Sequence, residues 1–209
     1  MINVKVNQES LSSAKVLINA VGKSADPVIY RTINKSIDNT QVKGVDLVYQ
    51  ALNLTKTRIR KDFRKIRAFT RRLTGQLIAE GRPIGFTSFS GTKELKAGGV
   101  RVKIERSSPA TDFKHAFIAP GKRSADPKTG EKKLQVFERK RYGSGVFIPG
   151  YPYANLPHRY KYPLERKAGP KIEDYYGHDR IQLPVEQFAA FRMEVNMQSQ
   201  IDFEMSKIF

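Results

Sequence analysis

The chain has 209 residues, no cysteine and a formal net charge of +18, with 39% hydrophobic and 28% charged residues. That length allows one large domain or two small ones around a modest core, and the lack of cysteine excludes a disulfide framework, a thiolate metal site and a cysteine nucleophile. No apolar run approaches the ~20 residues that span a bilayer, and MINVKVNQES lacks the charged-then-apolar order of a signal peptide; the expectation is a soluble protein made in a cytoplasm, with no membrane partner.

Met1–Val6 alternates apolar and polar residues and predicts a short strand. Leu11, Ala14, Leu17, Ile18 and Val21 fall at helical spacing over 9–21, with Gly22 as a stop. Asp26-Pro27 is a helix start, because Asp caps free amides and Pro fits the first helical position. Ile29, Ile33, Ile37, Leu47, Val48, Ala51 and Leu52 continue an apolar stripe, so a long helix is predicted from there to about Asn53, with Gly44 as a weak point inside it.

Thr55–Arg72, TKTRIRKDFRKIRAFTRR, holds Lys56, Arg58, Arg60, Lys61, Arg64, Lys65, Arg67, Arg71 and Arg72 against the single acid Asp62. Ile59, Phe63, Ile66 and Leu73 are spaced as one face of a helix, which predicts a basic helix docked on a core with its cationic face in solvent. Blocks of like charge are either solvated faces or interaction surfaces. The wider distribution agrees with the second sense. Residues 1–54 hold six bases and four acids and residues 181–209 two bases and four acids, so 55–180, with thirty bases and twelve acids, carries the whole excess. Such a field attracts phosphate polymers and acidic partners.

From Leu73 the pattern changes to short runs of Val, Ile, Phe and Thr bounded by Gly or Pro: LTGQLIAEG, PIGFTSF, GVRVKIE and HAFIA. These predict four or five antiparallel strands, with Val100, Val102 and Ile104 on one face of GVRVKIE and Arg101, Lys103 and Glu105 on the other. Residues 120–143, with eight bases, three acids and two prolines, are read as a long basic loop. GVFIP at 145–149 is the returning strand. Residues 150–180 combine proline, bases and Tyr151, Tyr153, Tyr160, Tyr162, Tyr175 and Tyr176, and predict an extended arm held by aromatic contacts. A helix opening at Leu183-Pro184 runs to the end. Ala190, Met193, Met197, Ile201, Met205 and Ile208 form one stripe on it, and Phe188, Phe191 and Val195 a second, which calls for more than one neighbour.

The fold class expected is α+β: long N-terminal helices packed on a small antiparallel β-sheet, with extended loops, an arm and a C-terminal helix. One domain is expected over 1–180, containing the basic loop 120–143 and the arm 150–180, with the C-terminal helix at 181–209.

No catalytic constellation is legible. His115, His158 and His178 lie far apart and outside any metal-ligand spacing, and each reads as a structural histidine. Glu173-Asp174 reads as part of a polar loop. Gly98-Gly99 and Gly121 read as turn glycines, and Gly121-Lys122 lacks the spacing of a phosphate loop. Neither a catalytic residue, a metal site nor a cofactor is expected. Any nucleic-acid contact is expected to be sequence-independent and salt-dependent, since no groove-reading or RNA-stacking motif occurs.

Seven segments, in order, resemble the minor tail protein Z family of tailed bacteriophages, the tail-completion or neck proteins. They are YRTINKS at 30–36, LTKTRIRKDFRKIR at 54–67, GRPIGFTSF at 81–89, GVRVK at 99–103, HAFIA at 115–119, GVF at 145–147 and YPLERKAGP at 162–170. In the third, Gly85 stands where that family has proline and Phe86 where it has leucine; the loops at 120–143 and 150–161, and the C-terminal helix, are longer than its pattern. The resemblance implies a non-enzymatic structural virion protein at the head–tail junction, assembled in the host cytoplasm. It implies a homo-oligomeric ring, six-fold or twelve-fold, between the head–tail connector and the tail terminator or tube proteins, with genomic DNA passing through the lumen. On that picture the nine Lys and Arg side chains of residues 56–72 face DNA or an acidic ring partner. Phe188, Phe191, Met193, Met197, Ile201, Met205 and the tyrosines at 151, 153, 160 and 162 are candidate subunit contacts. The alternative from a different class is a free, sequence-independent nucleic-acid-binding protein; a phage nuclease is a distant third.

Overall fold

A computed structural model describes residues 2–4, 25–125, 132–139 and 164–207. The helix predicted over 9–21, the strand at 145–149, His158 and the four tyrosines from 151 to 162 lie outside these residues. The fold is α+β. The chain divides into two compact units: Met1–Gln50, Lys56–Arg82 and Lys171–Phe209 in the first, Ala51–Thr55 and Pro83–Pro170 in the second. The boundary expected at residue 180 falls inside the first unit.

The first unit is organised by helix α1, Asp26–Ala51, which starts at the Asp-Pro pair and is about 39 Å long at 1.5 Å per residue. One face buries Ile29, Ile33, Ile37, Val45 and Val48. Sequence periodicity found most of that face and missed the other one. Thr32, Ser36, Thr40 and Gly44 repeat every fourth residue, and all four are buried. Small side chains along an i, i+4 row let a second helix approach closely. That helix is α4, Asp179–Met205. It runs antiparallel to α1: Arg31 pairs with Glu204, Thr32 lies against Met197, Asn196 Nδ2 donates to Ser36 Oγ at 2.9 Å, and the Lys43 ammonium sits over the Phe188 ring. Each buried polar group of the seam finds a partner, including Thr40, whose hydroxyl donates to the Ser36 carbonyl at 2.7 Å, as burial requires.

Helix α4 begins at Asp179 rather than at Leu183-Pro184, with Pro184 inside it. Its buried positions are Ile181, Val185, Ala189, Met193, Asn196 and Met197, so Ala190, predicted on the core stripe, faces solvent. Met193 and Met197 of the expected stripe are buried; Ala190 is not, because the buried face passes through Ala189, about 100° away on the helix.

Beneath α1 lies a three-stranded antiparallel sheet in the order β1 (Ile2–Val4), β3 (Gly75–Ala79), β2 (Phe63–Ile66). A Cβ on Gly75 would collide with Ile37 and stand 2.8 Å from Ile33 Cγ2, so glycine lets the central strand touch the helix. Between α1 and β2 sits Tyr176, from the short helix α3 (Ile172–Tyr176). Its ring meets Phe63 edge-on at 5.0 Å and fills the space above Gly44, where a Cβ would come within 2.9 Å of Tyr176 Cε2. Burial, then the charge of Glu186, push the Tyr176 phenol above its ordinary range. Residues 171–180 are therefore not an extended arm. Asp174 is the acceptor for the Lys171 amide at the start of α3, a capping role for a residue read as part of a polar loop.

The second unit holds two three-stranded antiparallel sheets. The first runs β4 (Lys93–Glu94), β5 (Val100–Val102), β6 (Thr111–Phe113). Val100 and Val102 are buried and Arg101 is exposed, held by Asp112 on the neighbouring strand at 2.6 and 2.7 Å. The alternation predicted for GVRVKIE holds as far as Val102. Gly98 and Gly99 make the preceding turn at φ +88 and +98, where other residues are strained.

PIGFTSF is not a strand: Phe86–Ser88 form a 3-10 turn. Phe86 and Phe89 are both buried; residues three apart point to opposite faces of a strand but to one side of a 3-10 turn. Nor is 120–143 one long loop. Strands β7 (Ala116–Ala125) and β8 (Lys132–Arg139) form a hairpin, with pairs from Ala116↔Glu138 to Pro120↔Leu134 and a register shift before Ala125↔Lys132. Gly121 lies in β7 at that irregularity, not in a turn. The strand at 132–139 was hidden by the charge around it; Val136 is buried. Strand β9, Leu164–Arg166, adds to β8, so this part of the expected arm is also a sheet element.

Candidate functional site

The basic segment was expected to be one helix and is not. Lys56–Arg60 form helix α2, a turn follows at Lys61-Asp62, Phe63–Ile66 form β2, and Phe69 and Arg72 close a tight turn through two backbone hydrogen bonds of 3.0 and 2.8 Å. A continuous helix would stack Lys56 on Arg60, Arg60 on Arg64, Lys61 on Lys65 and Arg67 on Arg71. Like charges at i, i+4 each cost about 0.2–0.5 kcal/mol. Breaking the helix after Arg60 leaves only the first of those stacks and gives Phe63 a buried place opposite Ala79.

The break also brings acids to the cations. Lys56 pairs with Asp46 at 2.6 Å, Arg58 with Asp62 at 2.7 Å and Arg64 with Glu80 at 3.2 Å. Lys65 and Arg67 share Asp38, at 2.8 and 3.0 Å. Burial pushes the Asp38 carboxyl up, but the hydrogen bond from Lys65 and the charges of Lys65 and Arg67 outweigh it and hold the group below the usual carboxylate range. Arg72 donates to the Arg67 carbonyl and lies 5.1 Å from the Phe69 ring centre. Arg60, Lys61 and Arg71 are exposed and form no ion pair among the described residues. Of the nine cations predicted as one surface, five are thus neutralised by acids, and among the described residues four (Arg60, Lys61, Arg71 and Arg72) pair with no acid.

A second residue that sequence reasoning missed fixes the turn. Asn34 of α1 donates through Nδ2 to the Ala68 carbonyl and accepts from the Ala68 amide, both at 2.9 Å. Its side chain thereby replaces a neighbouring strand for one residue. The clamp holds the chain so that Phe69, 51% exposed, projects next to Arg71 and Arg72. Neither Asp38 nor Asn34 gave a sequence signal, because each acts on residues about thirty positions away.

Lys61, Asp62, Arg64, Lys65, Arg67 and Glu80 line an open cleft of about 640 Å³. Four cations and two carboxylates converge there. The wall is polar and carries an excess of positive charge, and no nucleophile–base–orienter arrangement is present in its lining. Among the described residues, no three His, Asp or Glu side chains are grouped so as to hold a metal ion. No described helix is long and apolar enough to cross a membrane.

The predicted subunit contacts separate into two sets. Met193 and Met197 are buried in the seam against α1, Ile201 and Met205 are half-buried, and Phe188 is half-buried beneath Lys43. Phe191 is 57% exposed and Val195 stands beside it in solvent. The first stripe therefore belongs largely to the chain's own core, and the second is the one left open.

Comparison with protein-family models, with curated proteins and with solved structures returns no match for the chain.

Proposed function

We propose that the chain is a structural subunit of a tailed-bacteriophage virion at the head–tail junction, a non-enzymatic neck or tail-completion protein. It works as a homo-oligomeric ring that joins the tail to the head connector and lets the genome pass. The seven-segment resemblance supports this, and one observation on the surface carries it. The first unit neutralises much of its own charge with Asp38, Asp46, Asp62 and Glu80 while leaving Leu183, Phe191 and Phe203 of α4 more than half exposed. Phe191 and Val195, one turn apart, make an adjacent exposed apolar pair on that helix, and a contiguous apolar patch favours a protein contact, whereas a protein built only to bind nucleic acid gains nothing from it.

The second reading is a free, sequence-independent nucleic-acid-binding protein. Arg60, Lys61 and Arg71 favour it, since among the described residues no acid pairs with them in competition with phosphate. Light scattering on the eluting chain, with and without DNA at two salt concentrations, separates the two. A ring, or a monomer that assembles only on tail components, supports the neck reading; a monomer that binds DNA tightly overturns it. Replacing Arg60, Lys61 and Arg71 together by Gln is expected to leave the melting temperature unchanged and to reduce the number of joined particles. Fully infectious particles from that variant remove these cations from the mechanism.

A further inference from the structure

We propose that the open stripe of α4 docks on the Phe69 turn of a second copy of this chain, making a head-to-tail contact. This rests on the ring reading and names the two surfaces that the ring would join.

The stripe is defined by spacing. Phe191, Glu194, Val195, Gln198 and Asp202 stand at i, i+3, i+4, i+7 and i+11, one face of a helix, and all five are exposed. Its apolar centre is flanked by carboxylates: Glu194 forms no ion pair among the described residues, and Asp202 is held only by the neutral Gln198 amide at 2.8 Å. The Phe69 turn has the opposite signature. A half-exposed ring is flanked by Arg71 and Arg72, with no acid bound to either among the described residues. Apolar area meets apolar area, and acidic flanks meet basic ones, which is the complementarity that steers and registers an interface.

The two surfaces cannot meet within one copy. Both are mounted on α1, but from different sides. The α4 seam uses Thr32 and Ser36, whereas the clamp on the turn uses Asn34, two residues from each and so about 200° round the helix. Asn34 also bonds both backbone groups of Ala68, so the turn is held in place on its own side. Complementary patches on opposite sides of one body make a heterologous contact, which propagates from copy to copy and closes into a ring when the rotation allows.

The test is a complementation experiment followed by sedimentation and light scattering. One variant removes the stripe (Phe191→Ser with Val195→Ser) and one removes the turn's contact groups (Phe69→Ser with Arg71→Glu). All four positions are exposed, and unchanged far-UV spectra and melting temperatures check that the fold survives. The wild type is expected to self-associate, more weakly as salt rises, and each variant alone to associate about tenfold less tightly or worse, as loss of an aromatic anchor does. Mixed in equal amounts, the two variants retain one intact surface each and are expected to form a one-to-one pair that grows no further. If the wild type assembles and either variant assembles equally well, the contact is wrong while the ring reading stands. A turn variant that still dimerises where the stripe variant does not would indicate a symmetric contact of α4 with α4, and also overturns the proposal. A wild type that stays monomeric overturns the contact, and it overturns the ring reading as well only if that monomer binds DNA tightly.

Discussion

Thr55–Arg72, expected as one basic helix with an apolar face, and the C-terminal segment, expected as a helix with two apolar stripes from Leu183-Pro184, end in different conformations. The first breaks into a helical turn, a strand and a tight turn; the second is helical over 27 residues. The difference lies in what each segment finds nearby. Gly75–Ala79 offers a backbone edge a few residues downstream, with Leu77 and Ala79 opposite Lys65 and Phe63. Pairing there relieves the stacked cations and puts Lys65 and Arg67 within reach of Asp38. Helix α4 has no strand to join, few like-charge stacks, and a groove of small residues on α1 into which Ala189, Met193 and Asn196 fit. Amphipathic spacing alone does not distinguish a helix that docks from a segment that is pulled into a sheet.

The contrast can be broken most severely at Gly75. Val there would drive two methyl groups into Ile33 and Ile37 and separate α1 from the sheet. The expected loss is about 3 kcal/mol, at the upper end for overpacking a filled core, and chemical denaturation measures it. The helical side is tested at Asn196. Changing Asn196→Ala leaves the Ser36 hydroxyl without its donor in a buried seam, and about 1–2 kcal/mol is expected. Combining it with Ser36→Ala should cost less than the sum of the two single changes, because the orphaned group is then gone. The smallest effect is expected at Asp38, the acid that ties the basic strand to α1. Its folded pKa is depressed, so its contribution is present above the unfolded carboxylate value of about 3.9 and fades as the pH falls through the folded value. The carboxyl is 43% exposed, so solvent screening limits the effect to about 0.5 kcal/mol or less. In Asp38→Asn the melting temperature should fall slightly at neutral pH and begin to converge with the wild type only as the pH drops below about 4, through the depressed folded value; an equal difference at every pH would mean that the charge is not what acts.

Local chemistry alone determined a good deal: the α+β class, the start of α1 at Asp26-Pro27, its isoleucine stripe, the alternation at Val100 and Val102, and the excess of cations in the middle of the chain. Each depends on residues within a few positions of one another, where spacing and capping act directly. What the tertiary structure decided was partnership. Thr32 and Ser36 looked polar until a second helix lay on them, and Gly44 took its meaning from the Tyr176 ring above it. The loop at 120–143 became a hairpin because Val136 found a core, and Phe86 and Phe89 left the strand register to share one side. The cations followed the same rule. Their number is written in the chain, but which are spent on Asp38, Asp46, Asp62 and Glu80, and which remain for another molecule, depends on contacts between residues far apart in sequence.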